Sequence, residues 1–190
     1  MKLIGSTPSP YVRRLRLFLG DLDYDFINLD IYSPEGRQEL EKFTPAMKVP
    51  VLVDDEQYIY DSRVIHRYLS KKQGKSDLSW EQENLMSLID AANDSYIALL
   101  IAGRSGVDIK PDILLVKLQQ DRLCRVMPLL EQAAASGQFE RWDYPSICLF
   151  CLLDWVDFRE LESLSTYPHL AQFLASKKQL PLAIATDPRQ

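Results

Sequence analysis

This chain of 190 residues is short of cysteine, of histidine and of positive charge. Its three cysteines are an odd number and none precedes Cys124, so a disulfide framework is not expected and a reducing cytoplasm is the expected compartment. No group of His and Cys has the spacing of a zinc site, so no metal is expected. The net charge of −5 lacks the basic surface that nucleic acid or an anionic membrane requires, and neither is expected as a partner. No apolar run approaches the ~20 residues that span a bilayer. The first residues enter a strand pattern without the layout of a signal peptide. A phosphate-binding glycine-rich loop, an internal repeat and low-complexity stretches are also missing. What is present is ordinary: 46% hydrophobic residues in a length that suits one large domain or two small ones.

The first twenty residues carry the clearest chemistry. Leu3-Ile4 opens a strand, and Gly5 to Pro8 interrupts it. Ser9-Pro10 then supplies a hydroxyl N-cap followed by proline at the first helical position. Val12, Leu15, Phe18 and Leu19 recur at helical spacing behind it. A strand running into a capped helix turns free backbone N–H groups outward, which favours an anion beside Ser9. On these residues alone Ser9 either serves only as a cap or also meets a ligand.

The rest of the first half alternates strands and helices. Tyr24 to Ile31 reads as a second strand with Ile27, Leu29 and Ile31 on one face. Ser33-Pro34-Glu35 opens a short helix ending near Phe43. Val49 to Val53 and Tyr58 to Tyr60 form a hairpin entered through Pro50. Asp61-Ser62 starts a helix with Val64, Ile65, Tyr68 and Leu69 on one face, closed by Lys71, Lys72 and Gly74. Beyond a polar linker, about residues 75–79, no convincing strand appears. A long amphipathic helix runs through Leu85, Ile89, Tyr96 and Leu100 to about Gly103. A second runs from Pro111 to about Ser136, with a kink or break expected at Pro128. Ile147 to Val156 is apolar almost all round, as in a central buried helix. Pro168 opens a last helix ending at Lys177 and Lys178. The expected fold class is therefore α/β plus all-α, with domains at 1–74 and 80–190.

Four segments resemble the soluble glutathione S-transferases. Ser9-Pro10-Tyr11-Val12-x-Arg14 is similar to the family's first-helix motif, Lys48-Val49-Pro50-Val51-Leu52 to its Val-Pro segment, Asp61-Ser62-Arg63-x-Ile65 to its acidic-Ser motif, and Tyr167-Pro168-His169-Leu170-x-x-Phe173 to its final-helix pattern. The match looks most like the serine-type bacterial members. It implies a thioredoxin-like N-terminal domain (βαβαββα) followed by an all-helical C-terminal domain, a homodimer, and glutathione as co-substrate for an electrophilic small molecule, in detoxification. It implies that Ser9 hydrogen-bonds the glutathione sulfur, that Val49 pairs its backbone with the tripeptide, and that Pro50 is cis. Asp61 and Ser62 would hold the γ-glutamyl end. Lys48 would meet a glutathione carboxylate or remain a solvated loop lysine. Ser6 and Thr7 lie close enough to supply the sulfur's hydroxyl instead.

Several positions depart from the family pattern. Ala46-Met47 replaces a usual Leu-Gly, and Ser146-Ile147-Cys148-Leu149 stands where an acidic residue usually completes a capping box, at an expected loss of ~1 kcal/mol of helix initiation. His66 and His169 are expected to be structural. Cys148-x-x-Cys151 has redox-motif spacing but sits in an apolar helix, where buried thiols are expected, and Cys124 is expected helical and buried. Serine at position 9 predicts no thiol-transferase activity. Walls of the acceptor pocket are expected from Tyr11, the loop from Tyr32 and the end of the long helix near Arg104. Rival functions are a non-catalytic transferase-like module and another glutathione-dependent enzyme, an isomerase or dehalogenase. The doubled Ser-Cys pattern of the maleylacetoacetate isomerases is replaced here by Ser6-Thr7-Pro8-Ser9.

Overall fold

The computed structural model describes residues 1–110 and 112–190, and the chain divides into two compact units. The first comprises Met1–Asp77 and Leu180–Gln190, the second Leu78–Gln179. The last eleven residues thus group with the first unit, and the helical unit ends at Gln179.

The first unit holds β1 (Lys2–Gly5), α1 (Pro10–Leu19), β2 (Asp25–Asn28), α2 (Pro34–Glu41), β3 (Val51–Asp54), β4 (Gln57–Tyr60) and α3 (Ser62–Lys72), in the thioredoxin-like order. The sheet runs β2-β1-β3-β4, with β1 parallel to β2 and β3 antiparallel to both of its neighbours. Apolar alternation on these strands builds one face of the core: Ile27, Leu29 and Ile31 pack on Ile4, Leu40 and Val51. β2 is shorter than its alternating pattern suggested, ending at Asn28, although the Leu29 N–H still donates to the Gly5 carbonyl. Gly5 is required by closeness: a Cβ there would lie 2.5 Å from a Val12 methyl, so strand β1 can run directly beneath α1. The tail carries a short helix, α8 (Pro181–Ala185), which no sequence signal suggested. Its Ala183 carbonyl accepts from Arg13 Nη2 at 2.9 Å, and Thr186 Oγ1 accepts from Arg13 Nε at 3.3 Å.

The regular elements of the second unit, among its described residues, are all helices: α4 (Trp80–Arg104), α5 (Leu114–Ala135), α6 (Tyr144–Phe158), a 3-10 turn at Leu164–Thr166, and α7 (Pro168–Lys177). Pro111, the expected start of the second helix, lies outside the described residues. Pro128 does not break α5, which continues through it. One lost hydrogen bond is outweighed where Val126, Met127 and Leu130 are buried around it. α6 is buried at every position except its last two, Asp157 and Phe158, which explains its lack of an amphipathic stripe. Its N-cap is Asp143, whose carboxylate accepts from Ser146 N–H at 3.3 Å. The expected penalty from a missing acidic residue after Ser146 therefore does not arise, since Ser146 is inside the helix and its Oγ donates to the Arg141 carbonyl at 2.6 Å. α4 is the one described helix long and apolar enough to cross a membrane, contrary to the reading of its sequence, and it packs against α5 and α6 with Met86, Ile89, Ala92 and Tyr96 buried.

α7 has no capping side chain of its own, and Glu131 of α5 takes that role. Its carboxylate accepts from His169 N–H at 3.0 Å and Leu170 N–H at 2.9 Å. Burial raises the Glu131 pKa, but these two N–H groups and the His169 ring more than offset it and hold it below the ordinary glutamate value. A depressed folded-state pKa gives stability that is present above the unfolded value and lost as pH falls through the folded one. Glu131→Ala should cost about 1–2 kcal/mol at neutral pH. The difference from wild type in urea midpoint should shrink at about pH 3–4. A difference that stays constant with pH would exclude the capping account.

Candidate functional site

The register of the sheet gathers the candidate residues. Ile4 of β1 lies opposite Val51 of β3, and Val51 opposite Tyr60 of β4. One step beyond these paired residues, the chain leaves the same end of the sheet three times. Gly5 leads into Ser6–Ser9, Val49-Pro50 leads into Val51, and Tyr60 leads into Asp61-Ser62.

At the first exit, Ser9 is the N-cap of α1. Its backbone is extended (φ −81°, ψ 123°), its Oγ accepts from Val12 N–H at 3.4 Å, and Pro10 follows at the helix start. Acceptance from Val12 leaves the hydroxyl proton for donation elsewhere. The loop is braced by Ser9 N–H to the Ser6 carbonyl (2.9 Å) and Thr7 N–H to Asn28 Oδ1 (2.9 Å). Ser6 is buried, whereas Thr7 and Ser9 are half-buried.

At the second exit the Val49–Pro50 bond is cis. Lys48 is exposed, Val49 half-buried and Pro50 buried. Both Val49 and Pro50 lie outside β3, which begins two residues later than the expected hairpin strand. Met47, where a glycine is usual, takes φ 51° and rests on the Ile4–Leu40–Val51 core.

At the third exit Asp61 adopts φ 70° and ψ 134°, a left-handed conformation that costs a non-glycine residue about 1–3 kcal/mol. Its carboxylate caps α3, accepting from Arg63 N–H at 2.8 Å and Val64 N–H at 3.3 Å. Ser62 follows, buried, and its Oγ accepts from Arg14 Nη1 at 3.4 Å. Arg14 is fully buried and stacks 4.8 Å from the Tyr11 ring. The guanidinium thus ties α1, which carries Ser9, to the start of α3. Sequence reasoning placed Arg14 only as a motif letter, because a contact across 48 residues leaves no local pattern.

His66 is structural, as expected. It is buried on α3, its Nε2 is 3.1 Å from Ser70 Oγ, and its ring meets Phe18 of α1 edge-on at 4.6 Å. Cys148 and Cys151 are buried thiols outside any disulfide, but Cys124 is exposed, contrary to expectation.

The helical unit holds a cavity of about 560 Å³ within itself, lined by residues of α4, α5 and the segment around residues 161–167, among them Arg104 and Cys124. Tyr32 is 71% exposed on the first unit.

Residues 3–77 match the family model described as glutathione S-transferase, N-terminal domain. The chain is 26% identical over 174 residues to the uncharacterized GST-like protein YibF of Escherichia coli (strain K12), covering 85% of this chain and 84% of that protein. A shorter stretch of 58 residues, 30% of this chain and 27% of the relative, is 38% identical to a probable maleylacetoacetate isomerase of Caenorhabditis elegans. Among solved structures, a glutathione S-transferase from Methylobacillus flagellatus KT with glutathione bound superposes with a TM-score of 0.84 at 23% identity, covering 98% of each chain. A glutathione transferase family member from Pseudomonas fluorescens Pf-5 with bound glutathione gives 0.81 at 28% identity, again covering 98% of each.

The packing of α1 on α3 has a pH signature. Burial, with a smaller push from the Lys75 charge, lowers the His66 pKa to about 4 from its ordinary 6.5. Above 6.5 the ring is neutral in both states. As pH falls, the unfolded ring protonates first, so stability declines between about 6.5 and 4, by an amount of order 3 kcal/mol. His66→Gln keeps a partner for Ser70 and removes the titration. Its urea midpoint should fall less steeply between pH 7 and 4.5 than that of wild type, and parallel curves would refute the assignment.

Proposed function

We propose that this chain, whose residues 3–77 carry a glutathione S-transferase N-terminal domain and whose whole length has the glutathione S-transferase fold, is a glutathione transferase of the serine type. The observation that carries this reading is the convergence of Ser9, Val49-Pro50 and Asp61-Ser62 on one end of the sheet, set by the register Ile4–Val51–Tyr60. Two helix N-termini also start there.

In this reading Ser9 Oγ–H donates to the glutathione sulfur while the N-terminus of α1 favours negative charge beside it. The dipole supplies up to ~2 kcal/mol, or roughly 1.5 pKa units, enough to ionise much of a thiol of pKa ~8.5 near neutral pH. The thiol proton goes to solvent and no protein base is needed. The thiolate lone pair then attacks an electrophilic carbon and forms the C–S bond as a leaving group or π pair departs. Val49 pairs its N–H and C=O with the tripeptide backbone and Lys48 meets a glutathione carboxylate. Ser62 and Asp61 hold the γ-glutamyl end, and Pro50 shapes the approach. Ser9 is preferred over Ser6 and Thr7 because only its hydroxyl lies at the α1 N-cap. No metal enters this scheme.

The test is a pair of substitutions measured for glutathione binding and for conjugation to a chloronitroaromatic. Ser9→Ala should lower turnover roughly ten- to hundredfold and raise the pKa of bound glutathione while keeping most of the affinity. Ser62→Ala should mainly weaken binding. Unchanged turnover in Ser9→Ala with loss in Ser6→Ala or Thr7→Ala would move the role to a neighbouring hydroxyl. Failure of wild type to bind glutathione would leave the non-catalytic reading. The isomerase reading draws on the 58-residue similarity, and glutathione-dependent cis–trans isomerisation of maleylacetoacetate exceeding conjugation would favour it.

We also propose a homodimer in a reducing cytoplasm, acting in detoxification. Leu114, Leu115 and Leu118 of α5 are 70%, 49% and 51% exposed, a surface that an isologous partner would cover. Light scattering at micromolar concentration should give twice the chain mass, and a strict monomer would refute this. The first unit contains no cysteine, so reduction of a glutathione mixed disulfide should be negligible. Robust reduction lost on replacing Cys124 would overturn that expectation.

A further inference from the structure

The cavity inside the helical unit has charge chemistry of its own. Its volume of about 560 Å³ falls within the roughly 300–1,000 Å³ typical of small-molecule sites. Leu100 and Leu123, with further leucines, make its walls apolar. Two charged residues line it, Glu162 and Arg104.

The two charges differ in availability. Glu162 accepts a short hydrogen bond from the buried Tyr96 hydroxyl. Burial, and then the bond to Glu162, raises the Tyr96 pKa, so the phenol stays protonated and continues to donate. The carboxylate is therefore occupied. Arg104, the last residue of α4, is exposed and forms no ion pair among the described residues. The nearby Asp108 is taken by Lys110 at 2.7 Å. A cation at a helix C-terminus is favourable without any ligand, but this one also stands on the wall of an apolar cavity whose carboxylate is already engaged.

We propose that this cavity binds an apolar small molecule bearing a carboxylate, its body against the leucine walls and its anion on Arg104. As a binding site it stands without glutathione; that its occupant is the electrophile joined to glutathione rests on the conjugation reading above.

Cys124 supplies the reporter, because it lines the cavity and is exposed while Cys148 and Cys151 are buried. The rate at which N-ethylmaleimide alkylates Cys124 is measured without glutathione, with 4-methyl-3-nitrobenzoate or its neutral primary amide as the protecting ligand. The acid should half-protect at a concentration about fivefold lower than the amide. Arg104→Gln should erase that preference by weakening the acid alone, and Arg104→Lys should retain part of it. In the conjugation assay the reactive pair is 4-chloro-3-nitrobenzoate and its amide. The thiolate forms the C–S bond, chloride leaves, and the thiol proton passes to solvent. The acid should have the lower KM in wild type and lose that advantage in Arg104→Gln. Equal protection by acid and amide in wild type, no protection by either, or a preference that survives Arg104→Gln would overturn the proposal. Protection without retention on glutathione resin would leave this site standing and remove the conjugation reading. Retention without protection would do the reverse.

Discussion

The antiparallel pairing of β3 with both β1 and β4 is the constraint on which the first unit depends. A sheet has a side-chain period of two, so a slip of one residue in either ladder would turn the core residues Ile4 and Val51 toward the wrong face. The burial of Leu3, Ile4, Val51 and Leu52 therefore fixes which residues pair. The positions of three loops follow from that choice. Hydrophobic packing, rather than any polar contact, places Ser9, Val49 and Asp61 at one end of the sheet.

The polar contacts then refine what packing has set. Arg14 joins the first and third helices through Ser62, and Asn28 braces the loop ahead of Ser9. Two residues in this region hold conformations that side chains avoid, Met47 at φ 51° and Asp61 at φ 70°. Each has a visible compensation. Met47 buries its side chain on the Ile4–Leu40–Val51 cluster, and Asp61 gains two hydrogen bonds from the start of α3. Backbone strain of this kind persists only where the surrounding structure offsets it.

Much of this was legible in the sequence, and the reasons are local. Caps at Ser9, Ser33 and Asp61 and the β-branched run before Asp54 follow from short-range chemistry, and the structure has helices and strands at those places. The uniformly apolar stretch around Ile147 indicated a central helix by its lack of periodicity. The failures were non-local. Pro128 reads as a breaker, but the buried face around it keeps α5 continuous. Ser146 reads as a cap, while Asp143 three residues earlier does that work. Cys124 lies beside the buried Leu123 yet is exposed on a cavity wall, and helix α8 has too little pattern to stand out. Tyr96 and Glu162 meet across 66 residues, a contact that no spacing rule reaches.

The link from Arg13 to the tail bears on the order in which the first unit is completed. Its two hydrogen bonds reach residues 170 and 173 positions away. On a ribosome, β1 and α1 emerge well before residues 183–186, so Arg13 cannot make these bonds until the helical unit between them has been synthesised. Contacts of such separation form late, because the entropy of closing so long a loop must be met first. Helix α1 is thus finished by residues that follow the helical unit. The nascent first unit waits through the synthesis of the entire helical unit with one flank of α1 uncovered, a window in which chaperone capture or misassembly competes with completion.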